Sequence, residues 1–108
     1  LLETGYFQKY GITRIALACY PEGHPRIPDE VLEQARIDKM QAADAAGLSV
    51  WMVSQFAFES APIIRLARNM RAQGITVPYR VGIAGVTSNA TLLKFAMMCG
   101  VGASLRAL

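Results

Sequence analysis

Apolar residues recur along this chain at two spacings, and the spacing switches where glycine, proline and acidic residues cluster. Residues 12–19 (ITRIALAC) are β-branched or apolar at most positions, follow Gly11 and stop at the turn-rich stretch 20–28, which predicts a buried strand. From Asp29 the rhythm becomes helical. Pro28 and Asp29 supply start signals, Glu30 and Glu33 bring negative charge near the start, and Gly47 closes a helix predicted over 29–46. Residues 48–54 (LSVWMVS) are apolar at nearly every position, which predicts a strand covered on both faces. Ser60 is a candidate cap for the next helix, with Pro62 in its first turn. Ile63, Leu66, Ala67 and Met70 then follow the i, i+3, i+4, i+7 spacing before Gly74 stops it. Residues 77–83 (VPYRVGI) predict a third strand, with Pro78 near its start, where a missing N–H costs least. Thr87 or Ser88 then caps a helix in which Leu92, Phe95, Ala96 and Cys99 share one face, ending at Gly100. Residues 2–10 read as the tail of a further helix, broken at Gly5.

The resulting order alternates helix and strand, with three strands starting near 12, 48 and 77 and four helices around them, which predicts an α/β fold with a parallel sheet. The strand-to-strand spacing resembles the roughly 31 residues per unit of a TIM barrel, a (β/α)₈ fold of ~250 residues. A doubly wound sheet would give similar spacing, but no G-x-G-x-x-G fingerprint follows any strand, and the barrel is the preferred reading. Three strands cannot close a barrel. The expectation is therefore a single partial (β/α)₈-barrel domain over 1–108, an incomplete parallel (β/α) segment with unpaired edges, approaching a fourth strand at 100–108 (GVGASLRAL).

Composition agrees with a packed domain. Hydrophobic residues make up 53% of the chain and charged residues 18%, which excludes disorder against usual values of ~45–50% and ~25%. No apolar run approaches the ~20 residues of a membrane-spanning helix, so a soluble, cytoplasmic protein without a membrane partner is expected. The net charge of +3 comes from scattered Lys and Arg without interleaved aromatics, which does not point to nucleic acid. Cys19 and Cys99 have apolar neighbours and read as core residues. With one histidine in the chain, no metal site is expected.

Chemistry in a barrel gathers at the C-terminal ends of the strands. The first such end runs into YPEGHPRIP, a stiff loop that holds Tyr20 and His24. It could fix an aromatic face and an imidazole against a planar ligand, or it could merely turn the chain. Lys39 interrupts an apolar helical stripe formed by Leu32, Ala35, Ala42, Ala43 and Ala46. Its ammonium either snorkels to water or meets a bound phosphate. Gln55 is a polar amide ending an apolar strand, suited either to reading a heterocycle edge or to bonding the nearby backbone. No Ser/His/Asp or Cys/His constellation and no close carboxylate pair is evident, so the chain presents binding groups and no catalytic residue.

The stretch IALACYPEGHP, the strand ending VSQFAF, and RAQGITVPYRVGIAGVTSNATLLKFAMMCGV together resemble the second half of the methylenetetrahydrofolate reductases over nearly all of the chain. That family consists of flavin-dependent (β/α)₈ barrels. The resemblance implies FAD at the strand ends, hydride from NADH or NADPH, and its transfer to 5,10-methylenetetrahydrofolate to give 5-methyltetrahydrofolate, a step of one-carbon metabolism toward methionine. Position by position, it implies flavin-site roles for Ala18, Tyr20 and His24. It also implies a place near the FAD pyrophosphate for Lys39, with Glu33 the nearest candidate for an acidic residue at the adenosine. Gln55 matches a glutamine on the folate pterin and Phe95 a phenylalanine packing on folate or nicotinamide. Thr91 stands at a substrate contact where bacterial members carry glutamine, and after the third strand, where they carry proline, this chain reads IAGVTS with Gly85. The family's general-acid glutamate belongs to the other half of the barrel. A homo-oligomer, or pairing with the missing half of the barrel, is expected. Two alternatives differ in class: a non-catalytic folate- or flavin-binding half-barrel module, and a family branch serving another tetrahydrofolate-linked one-carbon pathway.

Overall fold

The computed structural model describes residues 1–99. A single 3₁₀ turn, Leu2–Thr4, precedes α1 (Tyr6–Lys9), and between them Gly5 adopts a left-handed φ, as the predicted break requires. There follow β1 (Arg14–Cys19), α2 (Asp29–Ala45), β2 (Ser49–Ser54), α3 (Ser60–Ala72), β3 (Tyr79–Arg80) and α4 (Asn89–Cys99). The strands form one parallel sheet in the order β1-β2-β3, so each successive pair is joined by a helical crossover. This is the expected α/β arrangement of three parallel strands and four helices, as an open sheet. The predicted helix stop at Gly100 and the predicted approach to a fourth strand over 100–108 lie outside the described residues.

Side chains alternate across a strand, and residues paired in a parallel register share a face. Leu17 pairs with Met52, Cys19 with Ser54 and Met52 with Tyr79, so these side chains lie on one side of the sheet. Met40 of α2 and Leu66 and Met70 of α3 pack on that side around Cys19 and Met52, and Met52 is completely enclosed (0% exposed). The core therefore sits between the sheet and its two crossover helices. The other face carries Ala16, Ala18, Trp51, Val53 and Arg80. Ala16 and Ala18 are exposed and Trp51 and Val53 half-buried, with the Arg80 guanidinium 5.2 Å from the Trp51 ring centroid. The expectation that β2 is covered on both faces thus holds on the helix side only. α2 and α3 both occupy one side, and the opposite side keeps an apolar surface.

β3 is shorter than its apolar pattern suggests, and both of its ends have a chemical reason. Pro78 has no N–H and joins the ladder only as an acceptor, its carbonyl taking the Met52 N–H at 2.8 Å. At the far end the Gly82 N–H turns to the Ser54 side chain, donating to Oγ at 2.9 Å. Two residues, rather than the seven of 77–83, therefore carry strand geometry. α3 also begins differently from expectation: Glu59, in extended conformation, is the residue before the helix, and Ser60 is its first member without a side-chain cap. Ser88 does cap α4, its Oγ accepting the Thr91 N–H at 3.3 Å and its carbonyl the Leu92 N–H at 2.9 Å.

Cys19 is buried beside Tyr79 and Ser54, with the Arg36 guanidinium nearby. Burial pushes the Cys19 thiol up to about 11 and the Tyr79 hydroxyl up to about 12, in the latter case reinforced by Cys19. The Tyr79 hydroxyl is enclosed close to both neighbours, yet it makes no contact with hydrogen-bond distance and angle. Both acids hold their protons more tightly when folded. Their contribution to stability is complete below the ordinary thiol range near ~8.5 and is lost as pH rises toward the folded values. Urea midpoints should therefore fall between pH 9 and 11, and the fall should shrink in Cys19→Ala. An equal fall in both proteins would place the alkaline sensitivity elsewhere.

Candidate functional site

Parallel strands end together, so the loops after β1 and β2 emerge side by side. The bond that ties them is the Gln55 N–H donating to the Cys19 carbonyl at 2.8 Å, which places Gln55 next to the start of the YPEGHP loop. That loop turns at once: the Gly23 N–H donates to the Tyr20 carbonyl at 3.1 Å. Pro21 and Gly23 occupy the positions favoured in a type I turn, and the absence of positive φ at Glu22 excludes type II. Gly23 has a φ of +79°, and a Cβ there would lie 2.9 Å from Asp29 Oδ1 in the first turn of α2. The left-handed φ favours glycine, and any Cβ would also have to push the Asp29 side chain aside.

The turn holds two rings against each other. Tyr20 and His24 meet edge to face, with centroids 5.5 Å apart and an interplanar angle of 81°. His24 Nδ1 accepts the Arg26 N–H at 3.2 Å, so a proton on the neutral imidazole resides on Nε2. His24 also pairs through its backbone with Ile27 in an isolated antiparallel bridge. The imidazole is thereby fixed on one side by its own loop and on the other by Tyr20.

A cavity of about 210 Å³ opens at this strand end, between β1, the turn, α2 and α3. Of the residues singled out from the sequence, Ala18, Tyr20 and Lys39 line it, together with Glu33. His24 is not in its wall and acts on it through Tyr20. Lys39 is exposed and makes no salt bridge with a described residue, as a side chain available to a ligand would. It stands ten residues beyond Asp29, roughly 15 Å along α2, so the positive end of that helix and the Lys39 ammonium address different points. The cavity also exposes Arg36, a group that sequence reasoning passed over. Its Nη2 donates to Gln73 Oε1 at 2.9 Å, and Gln73 Nε2 donates to Glu33 Oε1, while Arg36 Nε is buried without a partner. The available signal was its place one turn before Lys39, at 33-36-39 spacing on one face of α2.

Gln55 is half-buried, and its Oε1 accepts the Phe56 N–H at 3.2 Å. The bond to nearby backbone anticipated for this amide is therefore present. It occupies part of the carbonyl's capacity and leaves the NH₂ group without a partner among the described residues. Beyond it, Phe56 and Phe58 stack edge to face at 5.8 Å around the buried Ala57. Thr91 and Phe95 are not among the residues lining the cavity. The Thr91 hydroxyl is 2.9 Å from Ser88 Oγ within the α4 cap. Phe95 is 50% exposed, because α4 packs only lightly on the other elements and among its described residues fully buries Ala96 alone. Among the described residues no group of three or more His, Cys, Asp or Glu side chains could hold a metal ion, and no helix is long and apolar enough to cross a membrane.

The family model described as methylenetetrahydrofolate reductase matches residues 6–104, which is most of the chain. The chain belongs to that family. The strand-end turn on which this site rests gives a first test. Gly23→Ala should lower stability by about 1–3 kcal/mol, through strain at positive φ and displacement of Asp29. Thermal unfolding reads this directly. An unchanged melting temperature would mean that the loop adopts another turn without cost.

Proposed function

We propose that this chain, as a member of that family, forms part of a (β/α)₈ barrel in a flavin-dependent oxidoreductase that reduces 5,10-methylenetetrahydrofolate to 5-methyltetrahydrofolate with NAD(P)H. The observation that supports this best is the junction of two strand ends, where the Gln55–Cys19 bond sets the Gln55 amide beside the Tyr20 turn and its cavity. In barrel enzymes this end of the strands is where ligands bind.

The residues at the cavity suit part of a flavin dinucleotide. An aromatic edge at Tyr20, the unpaired ammonium of Lys39, and Arg36 held by Gln73 offer a planar surface and cations for a pyrophosphate. Pockets that enclose a whole ligand usually run ~300–1,000 Å³. The cavity formed here, about 210 Å³, accounts for one portion of such a site. When bound, FAD supplies the ring that carries hydride from nicotinamide to folate. Tyr20, steadied by His24, forms one wall, Ala18 leaves room at the sheet, and Lys39 neutralises phosphate charge. The Gln55 NH₂ donates to the pterin edge, with Thr91 and Phe95 approaching from α4. These residues bind and orient, and we assign none of them a proton transfer.

Two measurements on the full-length protein test this reading. It should purify yellow, and Lys39→Ala combined with Tyr20→Ala should weaken FAD retention. A charge-assisted contact worth ~1.5–3 kcal/mol corresponds to about 10–150-fold in affinity. Unchanged flavin occupancy in the double variant would remove both residues from the site. Separately, Gln55→Ala should lower folate-dependent turnover ~10–100-fold while flavin reduction by NAD(P)H changes less than about threefold. Equal damage to both half-reactions would assign Gln55 to flavin positioning instead.

A further inference from the structure

Gly82 lies just beyond β3, and nothing in its backbone conformation demands glycine, since its φ is not positive. Its surroundings do. A Cβ built on Gly82 would fall 2.6 Å from the Ser54 carbonyl oxygen, 3.1 Å from the Phe56 nitrogen and 3.3 Å from the Gln55 carbonyl carbon. All three are backbone atoms at the C-terminal end of β2, so a bulkier residue cannot be relieved by rotating a side chain. The same glycine donates its N–H to Ser54 Oγ at 2.9 Å, and Ser54 is 6% exposed. The Phe56 nitrogen that a Cβ would crowd is the donor holding Gln55 Oε1 at 3.2 Å. Backbone contact and side-chain anchor thus form one continuous path from Gly82 through Phe56 to the Gln55 amide.

We infer that Gly82 is a positioning residue: its close approach to β2, locked by Ser54, sets where the Gln55 amide points. Relieving a 2.6 Å contact to an ordinary separation of about 3.4 Å moves the strand end by up to roughly 0.8 Å, and misplacements near 1 Å in a binding constellation cost about 10²-fold. Gly85, three residues on, provides the control, because a Cβ there meets nothing within 4 Å. The role assigned to the amide rests on the proposed function; the path from Gly82 to Gln55 does not.

The experiment is a double-variant cycle in the full-length protein. Gly82→Ala should lower folate-dependent turnover ~10–100-fold with flavin reduction by NAD(P)H preserved, Gly85→Ala should leave both intact, and Gly82→Ala should have almost no further effect in a Gln55→Ala background. An undiminished loss in that background would overturn the inference and make Gly82 a general support of the sheet. If Gly82→Ala does not fold, Ser54→Ala takes its place in the cycle, since it removes the acceptor that locks the same approach. If the unmodified protein transfers no hydride to methylenetetrahydrofolate, the functional reading fails by itself. The positioning claim is then decided by the ¹⁵N resonances of the Gln55 side-chain amide and the Phe56 N–H. Shifts in Gly82→Ala but not in Gly85→Ala sustain it, and unshifted resonances overturn it.

Discussion

Leu17, Cys19, Met52 and Tyr79 project to one side of the parallel sheet, and covering that side requires both crossover helices to pack on it. A fully buried apolar side chain stabilises by roughly 1.5–3 kcal/mol, so Met52 and the residues closing over it form the strongest single constraint in the chain. Each of these helices is also a crossover that returns the chain to the starting edge, so the three strands run in the same direction and end at the same edge of the sheet. The YPEGHP turn, Gln55 and the segment after β3 are neighbours for that reason, although they are far apart in sequence.

At that edge the ladder gives way to side-chain chemistry. Regular pairing would carry β3 onward beside β2. Instead the Ser54 hydroxyl takes the Gly82 N–H, while between β1 and β2 the bond from the Gln55 N–H to the Cys19 carbonyl carries the regular ladder one step past the last pair. The hydroxyl satisfies a backbone donor that a frayed strand end would leave exposed, and it frees the residues after β3 to leave the sheet plane.

The layout was legible in the sequence because it depends on period. The switch from the run 12–19 to the i, i+3, i+4 spacing of α2 and α3 reports which side of each element is buried, and the stops at Gly47 and Gly74 fell within a residue or two of the helix ends. The Tyr20–Lys39 grouping was legible through the stiffness of its loop and the break in an apolar stripe. What escaped depends on contacts rather than on period. The shortening of β3 follows from one hydroxyl on a different strand, and the exposure of Phe95 follows from how lightly α4 packs on the other elements. Arg36 was overlooked because an arginine on an amphipathic helix is ordinarily solvated, and only its bond to Gln73, far along the chain, shows that it is held.

The two faces of the sheet differ in what covers them. The helix side is closed by aliphatic and sulfur-containing side chains and presents titratable groups whose burial keeps them neutral, as at Cys19 and Tyr79. The opposite side places a guanidinium over an indole at Arg80 and Trp51 and leaves Ala16 and Ala18 with little bulk. Small side chains on a strand face allow close approach of whatever lies opposite, and a cation stacked on an aromatic ring keeps its charge while losing part of its hydration. Cavity, turn and bare face all meet β1, with Ala18 on the bare face and in the cavity wall at once. The same strand therefore borders both the cavity beside Tyr20 and Lys39 and the open apolar face.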